Sequence, residues 1–521
     1  MITKKNLTWI AAAGAMAGTL ALGGCGAGGG GGTDNELTLA FSADPISLDP
    51  ASSANGNPSS WFVQLAYQSL LSVDENGELA AGLADKWEYL DDGFTQFKIT
   101  LRDGAKFADG TAVTADDVVA TIEHFRTGKG PVVASWADIT AEAVSDTEVV
   151  FTSTEPNALI GTLLTPKYMA GSVISEEGLA DPNLLLSETH GAGPYVLDTA
   201  DTIEGDHYSY VPNENYYDQD QIKWEKVTIK VIPNSTSQAQ ALKTGQIDVM
   251  VGDKSVLPEL QDVDNIGESA NPVYSNAIWL LDRNGELSPA LADVRVRQAL
   301  NFGLDRDAIT AAAYGDYGYG DAVPATPGDS SYGYDESLSD HYDYNPDRAH
   351  ELLEEAGYGD GFDMSITYKG HQPASKVMVE AVAAQWEELG INVELVPATD
   401  TGDWVNVINT KEVTAAQHDN SGKPMLMWLP MLMSDSGVMN VFDVDDPKLD
   451  KAYQTLIDAG ADEGGAAAKA MTKALMDEAV IVPVSQVEEV YFFDEDALQA
   501  PEFLGGTPLL SYIYDWEPAS E

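Results

Sequence analysis

The sequence predicts an α/β fold, and three observations carry that expectation. Short runs of alternating apolar residues recur along the chain and read as strands. Between them lie segments with 3.6-residue apolar spacing, several ending at glycine. In the second half, Met364–Tyr368, Lys376–Leu389 and Ile391–Leu395 follow one another as strand, helix and strand, the order of a βαβ unit. At 521 residues the chain is long enough for two to four domains, given about 100–200 residues each. An apolar fraction of 44%, with 13 Phe, 10 Trp and 22 Tyr, suffices for large cores.

Taken in order, Leu37–Phe41 alternates like a strand, and Asp44-Pro45 and Asp49-Pro50 turn the chain after it. Trp61–Leu71 has helical spacing. Phe97, Ile99 and Leu101 alternate, then Arg102-Asp103-Gly104 and Asp109-Gly110 signal turns. Thr114 reads as an N-cap, with Asp116 and Asp117 in the first turn, where the helix dipole favours acids. Glu148–Phe151, Tyr195–Leu197 and Val227–Ile232 read as strands, the last stopped by Pro233. Ser235–Thr244 reads as a helix closed by Gly245. The second half adds helices at Val294–Phe302, Asn345–Ala356, Leu449–Ala459 (stopped by Gly460) and Ala466–Asp477, and a strand at Val480–Val484. No internal repeat is evident.

The N-terminus reads as a secretion signal over residues 1–24: Lys4 and Lys5, an uncharged apolar run from Leu7 to Leu22, then Gly23 and Gly24. Leu22-Gly23-Gly24-Cys25 resembles the lipobox of bacterial lipoproteins. The resemblance implies cleavage before Cys25, the single cysteine, and acylation there, leaving the protein tethered to the outer face of the cell membrane. Gly26–Gly32 is glycine-rich, and residues 25–35 read as a flexible linker. No strand precedes it and no helix follows, so it is not a phosphate loop. No later stretch is long and apolar enough to span a bilayer. With Cys25 acylated, no intrachain disulfide can form.

There are 84 acidic and 27 basic residues, a net charge of −57. Such a surface repels phosphates, which excludes nucleic acid as a partner. It also repels anionic headgroups, making the anchor a tether rather than a docking face. The bland account is solubility and tolerance of salt. Attraction of cationic solutes is the sharper one, weakened by screening over about 8–10 Å at physiological salt.

Several stretches resemble, in order, the extracytoplasmic solute-binding proteins of the peptide/nickel ABC-importer family, family 5. They are Leu48-Asp49-Pro50 with Tyr67–Leu71, Gly82–Glu88, Phe97–Gly110 running into Thr114–Val119, and Gly191–Tyr195. Asn213–Asp218, Ala241–Asp248, Val294–Asn301 with Asp305-Arg306, and Tyr344–Ala349 leading to Tyr358 continue the series. Arg102, Asp103, Arg295 and Arg297 read as structural members of these motifs. The resemblance implies a two-lobed periplasmic-binding-protein-like fold with a hinge between the lobes. Lobe 1 would comprise residues 36–280 and 485–521, with an extra subdomain at about 80–190, and lobe 2 would comprise 281–484. It also implies a monomer that closes on a solute and delivers it to a membrane permease and its ATPase subunits, with no chemistry and no cofactor.

In peptide-binding members of that family, a segment of the second lobe supplies a tryptophan and then an aspartate that pairs with the peptide amine. Asp403-Trp404 resembles an acid–tryptophan pair near the ligand, and Trp428 fits the family tryptophan. Met431 stands where the aspartate is expected. Either a register shift brings Asp435 into that role, or the anchor is absent. Met425, Met427, Met431 and Met433 would share one face if the segment were extended. They read as core packing, a pliable pocket wall or a soft-metal site. Asn57 and Ser59, in a loop that often faces the cleft, and Tyr274 and Asn276, at the hinge crossing, complete the candidates.

The main alternative class, an enzyme, lacks support. There is no Gly-x-Ser-x-Gly elbow and no His-Glu-x-x-His, and the seven histidines are scattered. His350-Glu351 sits inside a helix motif without a second histidine. Within transport, di- or oligopeptides lead. Nickel or a chelated metal, an oligosaccharide and a hydrophobic small molecule stay open, as does a solute-sensing surface receptor outside transport.

Overall fold

The computed structural model describes residues 35–521 except 46, 54–58, 75–77, 129–135, 137, 253–255, 261–262, 328–332, 371, 400, 423, 435–436, 502–511 and 521. Strand β1 is Glu36–Phe41, and β2 (Leu71–Val73) pairs with β3 (Leu79–Ala81). A four-stranded antiparallel sheet follows: β4 (Ala84–Tyr89), β5 (Gln96–Leu101), β6 (Ile139–Ala143) and β7 (Glu148–Ser153). The remaining strands are β8 (Tyr195–Leu197), β9 (His207–Pro212), β10 (Lys226–Val231), β11 (Val249–Gly252), β12 (Ile266–Leu280) and β13 (Gly318–Gly320). After them come β14 (Asp363–Lys369), β15 (Asn392–Ala398), β16 (Ala415–Ser421) and β17 (Ile481–Asp494).

Among the described residues these build one eleven-stranded sheet in the order β15-β14-β16-β12-β17-β11-β1-β10-β9-β8, with β13 also on β17. Its two ends contain parallel pairs, β14 with β15 and β16, and β1 with β10 and β11. Between them, β12 and β17 run antiparallel from Ile266↔Asp494 to Trp279↔Ile481. The expected βαβ unit is present: β14, the helix Pro373–Glu388 and β15 pair in parallel with Ile366 opposite Leu395.

Side-chain alternation gives each end of the sheet two cores. At one end Leu37, Leu39, Phe41, Val227, Ile229, Tyr491 and Phe493 pack with Trp61 and Phe62, while Ala40, Met250, Val490 and Phe492 pack on the reverse face. At the other end Ile278, Leu280, Ile366, Val482 and Val484 pack with Leu300 and Trp386. Trp279, Leu281, Ala416 and Ile481 pack on its reverse face with Trp404, Trp428 and Met471. Strands covered on both faces are the expected result of helical crossovers. Both β12 and β17 therefore contribute to the cores at each end.

Helix signals were mostly legible. Thr114 forms a capping box with Asp117 on the helix Ala115–Thr127. Asn345 caps Pro346–Ala356, which ends on Gly357 in the left-handed region, φ 88°. Three expectations fail. The spacing of Trp61–Leu71 predicts a helix, but the helix is Ser59–Gln64 and the chain then turns towards β2. Gly460 does not end a helical region, because it begins the helix Gly460–Asp477 directly after Pro447–Asp458. The methionine segment is not extended. It forms two short helices, Met425–Trp428 and Pro430–Met433, so its methionines do not line one strand face.

Candidate functional site

Residues paired across an antiparallel ladder share a sheet face, as do residues two apart. On β17 this places Ser485, Val487, Glu489 and Tyr491 on one face. On β12 Asn276 lies opposite Ser485 and Tyr274 opposite Val487, and on β16 Asp419 lies opposite Asn276. That face is apolar at both ends of the sheet and polar where β12 and β17 pass between the cores. Register shifts between Pro272 and Tyr274, and between Asn276 and Ala277, bracket the polar stretch. Bulges of this kind re-aim side chains.

The polar groups here are specific. Gln417, fully buried, donates Nε2 to Asn276 Oδ1 at 3.5 Å. Lys369 Nζ pairs with Asp419. Glu489 Oε2 is closed off from solvent and has no hydrogen-bond partner among the described residues, although the side chain as a whole is part-exposed. Burial pushes the Glu489 carboxyl up to about 7. Burial also raises the Tyr274 hydroxyl, and the charges of Glu489 and Asp419 raise it further.

The reverse face holds an aromatic series. Trp428 meets Trp279 edge-on at 5.5 Å, Trp279 meets His418 edge-on at 5.2 Å, and Trp404 stacks on His418 at 5.6 Å and 18°. Lys369 Nζ lies 5.6 Å from the Trp404 ring centroid. Lysine 369 thus joins the aromatic series to Asp419 at the ends of β14 and β16.

Two contacts connect the N-terminal core with the segment after β16. Lys167, buried, donates Nζ to Gly422 O. Met427 packs against the N-terminal core, whereas Met425 and Trp428 belong to the core around Trp279. A cavity of about 390 Å³ opens there, between Asn157, Leu159 and Leu163 on one side and Leu426, Met427 and Tyr453 on the other. Its lining side chains are mostly apolar, with Asn157 and Tyr453 among them.

The candidates read from sequence therefore separate into groups. Tyr274 and Asn276 stand on the polar face. Trp404 and Trp428 are buried on the reverse face, joined through residues not singled out, Trp279 and His418. Asp403 is part-exposed and accepts from Thr399 N at 2.8 Å and from its hydroxyl. Met431 packs part-buried against the Trp279 core, and Ser59 is fully buried at the start of its helix. Asn57, Asp435 and Cys25 lie outside the described residues. Glu489, Asp419, Lys369 and Lys167 escaped the sequence reading. One signal was available: in Val487-Glu488-Glu489-Val490-Tyr491, a period of two puts Glu489 in line with Val487 and Tyr491.

The motifs that carried the family resemblance meet in space. Arg102 Nε donates to Gly82 O at 2.7 Å, and its guanidinium lies 3.8 Å from the centroid of the Tyr217 ring. Asn213 Nδ2 donates to Gly193 O at 2.8 Å, and Asn215 Nδ2 to Ala108 O at 3.0 Å. A Cβ on Gly193 would sit 2.4 Å from the Ala66 carbonyl carbon, so that motif admits only glycine. Arg306 donates to Pro483 O, Tyr342 O and Asn301 Oδ1. Arg295 pairs with Asp293, and Arg297 donates to the carbonyls of Glu478 and Leu291. All of these interactions are internal to the fold.

Residues 78–439 match the family described as bacterial extracellular solute-binding proteins, family 5 Middle. The chain belongs to the family 5 extracellular solute-binding proteins. Two curated relatives are heme-binding protein A of Haemophilus influenzae, 25% identical over 417 residues (72% of this chain, 71% of the relative), and the nickel-binding periplasmic protein of Escherichia coli, 27% identical over 393 residues (70% of this chain, 71% of the relative). Among solved structures, the open, unliganded form of the periplasmic murein tripeptide binding protein MppA superposes with a TM-score of 0.79. It is 22% identical, covering 94% of this chain and 98% of that one. The fold is that of the periplasmic binding proteins. This family 5 protein is the extracytoplasmic solute-binding component of an ABC importer and is not an enzyme.

Proposed function

We propose that this family 5 protein captures di- or oligopeptides between two lobes and carries them to its permease from a lipid tether on Cys25. Lobe 1 is residues 36–280 with 485–521, including the subdomain at about 80–190, and lobe 2 is residues 281–484. The observation that carries this reading is the polar stretch of β12 and β17, which lies where two long strands pass from one set of cores to the other. Rotation about such a pair closes the lobes over a solute without breaking either core. Peptides are favoured because the polar face offers fixed acceptors, Asn276, Asp419 and Glu489, and because a tripeptide-binding protein shares the fold.

The test is the unfolding of the purified protein against free peptides, N-acetylated peptides, nickel with and without histidine, heme and oligosaccharides. A free peptide at a hundredfold excess over its dissociation constant is expected to add about 2.7 kcal/mol of stability. Stabilisation by another class, with none from peptides, would overturn the peptide assignment. The tether has its own test. Cys25→Ala is expected to move the protein from the membrane fraction to the soluble fraction, and continued sedimentation with membranes would refute lipid attachment.

A further inference from the structure

Among the described residues Glu489 is a carboxylate without a counter-charge in the middle of the sheet. It stands on β17 two residues from Tyr491 and on the same face as Tyr274 and Asn276. Oε2 meets neither solvent nor a donor. No ion pair to Glu489 forms among the described residues, and Lys369, at the end of β14, is already held by Asp419. An oxygen left this way disfavours the ionised carboxylate, unless something arrives to pair with it.

We infer that Glu489 receives the positively charged group of the solute, an organic ammonium or guanidinium, beside the part-buried ring of Tyr274. The placement explains why the fold tolerates the acid. The charge is uncompensated only while the site is empty, and the missing donor is supplied by the ligand. The Tyr274 ring beside the carboxylate adds attraction for a cation and little for a neutral group. The inference rests on the solute-capture reading above and narrows it to peptides with a free amine. It also supplies an acid for the amine without calling on Asp435.

The carboxyl's raised affinity for its proton, near pH 7, provides a readout that packing alone would not give. Pairing with a cation favours the ionised form, so binding at pH 7 should release about half a proton. The titratable groups facing Glu489 are Tyr274 on β12, Tyr491 on its own strand and, beyond Tyr274, Asp419 on β16; burial keeps both tyrosine hydroxyls protonated in this range. Calorimetric titration of the full chain with trialanine and N-acetyl-trialanine, in buffers of different ionisation enthalpy, separates the cases.

The wild-type protein is expected to bind the free peptide at least tenfold more tightly than the acetylated one, with proton release. In Glu489→Gln that preference and the proton release both disappear, while Glu489→Asp keeps part of the preference. Equal affinity of wild type and Glu489→Gln for the free peptide would overturn the assignment. If wild type binds free and acetylated peptides alike, the peptide reading stands and the role of Glu489 falls. If it binds neither, the peptide reading fails and takes this inference with it.

Discussion

Trp279→Ala is expected to lower stability by about 3–5 kcal/mol, the range for deleting a fully buried tryptophan. Trp279 is 1% exposed and lies on β12 between Ala416 of β16 and Ile481 of β17. It carries the edge-on contacts to Trp428 and His418, each worth about 0.5–1.5 kcal/mol beyond area burial for an aromatic pair. Trp428 approaches from a short helix and Trp404 from the helix Thr401–Asn409, so no strand pairing refills the space when the indole is removed. Urea unfolding should also show coupling. Trp279→Ala and Trp428→Ala should together lose less than the sum of their separate losses, because they share one contact. A loss below about 1 kcal/mol for Trp279→Ala would mean that the cavity collapses and that the aromatic series is not a packed unit.

Glu489 gives the second expectation, which concerns the empty protein. Its carboxyl lies near 7 in the folded state, against 4.5 for an ordinary glutamate. The folded state therefore holds this proton more tightly than the unfolded state. The associated stability is complete below pH 4.5, falls as pH rises, and is lost once pH passes about 7. At about 1.4 kcal/mol per unit, the penalty above that point is on the order of 3 kcal/mol. Glutamine does not ionise. Glu489→Gln should match wild type near pH 4 and exceed it in urea resistance by pH 8, the gap opening between these limits. Comparison at each pH cancels the other carboxyls, which titrate in both proteins. Parallel curves across the range would show that Glu489 is paired or solvated in solution.

The fold was largely readable because its signals are local. The βαβ unit at β14 and β15 follows from periodicity and from the glycine that separates the helix from the strand. Caps such as Thr114 and Asn345 act within three residues of themselves. The failures share a cause in tertiary packing. Helical spacing continues beyond Gln64, but Ala66 must meet Gly193 and Leu70 must pair with Gly171, so the backbone leaves the helix. Met425–Met433 has the composition of a buried strand, yet Pro430 and the edge-on fit of Trp428 against Trp279 favour two helical turns. The site was less legible than the fold. Tyr274 and Asn276 could be placed at the crossing because family motifs bracket it. Asp419 and Glu489 come from strands far apart in sequence, and only the register of β12 with β16 and β17 brings them to one face. Trp404 and Trp428 were recognisable individually, while their partners Trp279 and His418 look like ordinary strand residues.

The place of β17 in the sheet has a consequence for how the molecule is made. This strand begins at Ile481 and lies between β11 and β12, so the middle of the sheet is filled only after all the other described strands have been synthesised. While the ribosome is still reading the earlier codons, β11 and β12 each lack a neighbour and the sheet cannot close. A nascent chain in that condition is unfinished and prone to aggregation, but it also remains threadable. Any machinery that must move the polypeptide as an open strand has until β17 is made to do so. Completion of the sheet then waits on this one strand.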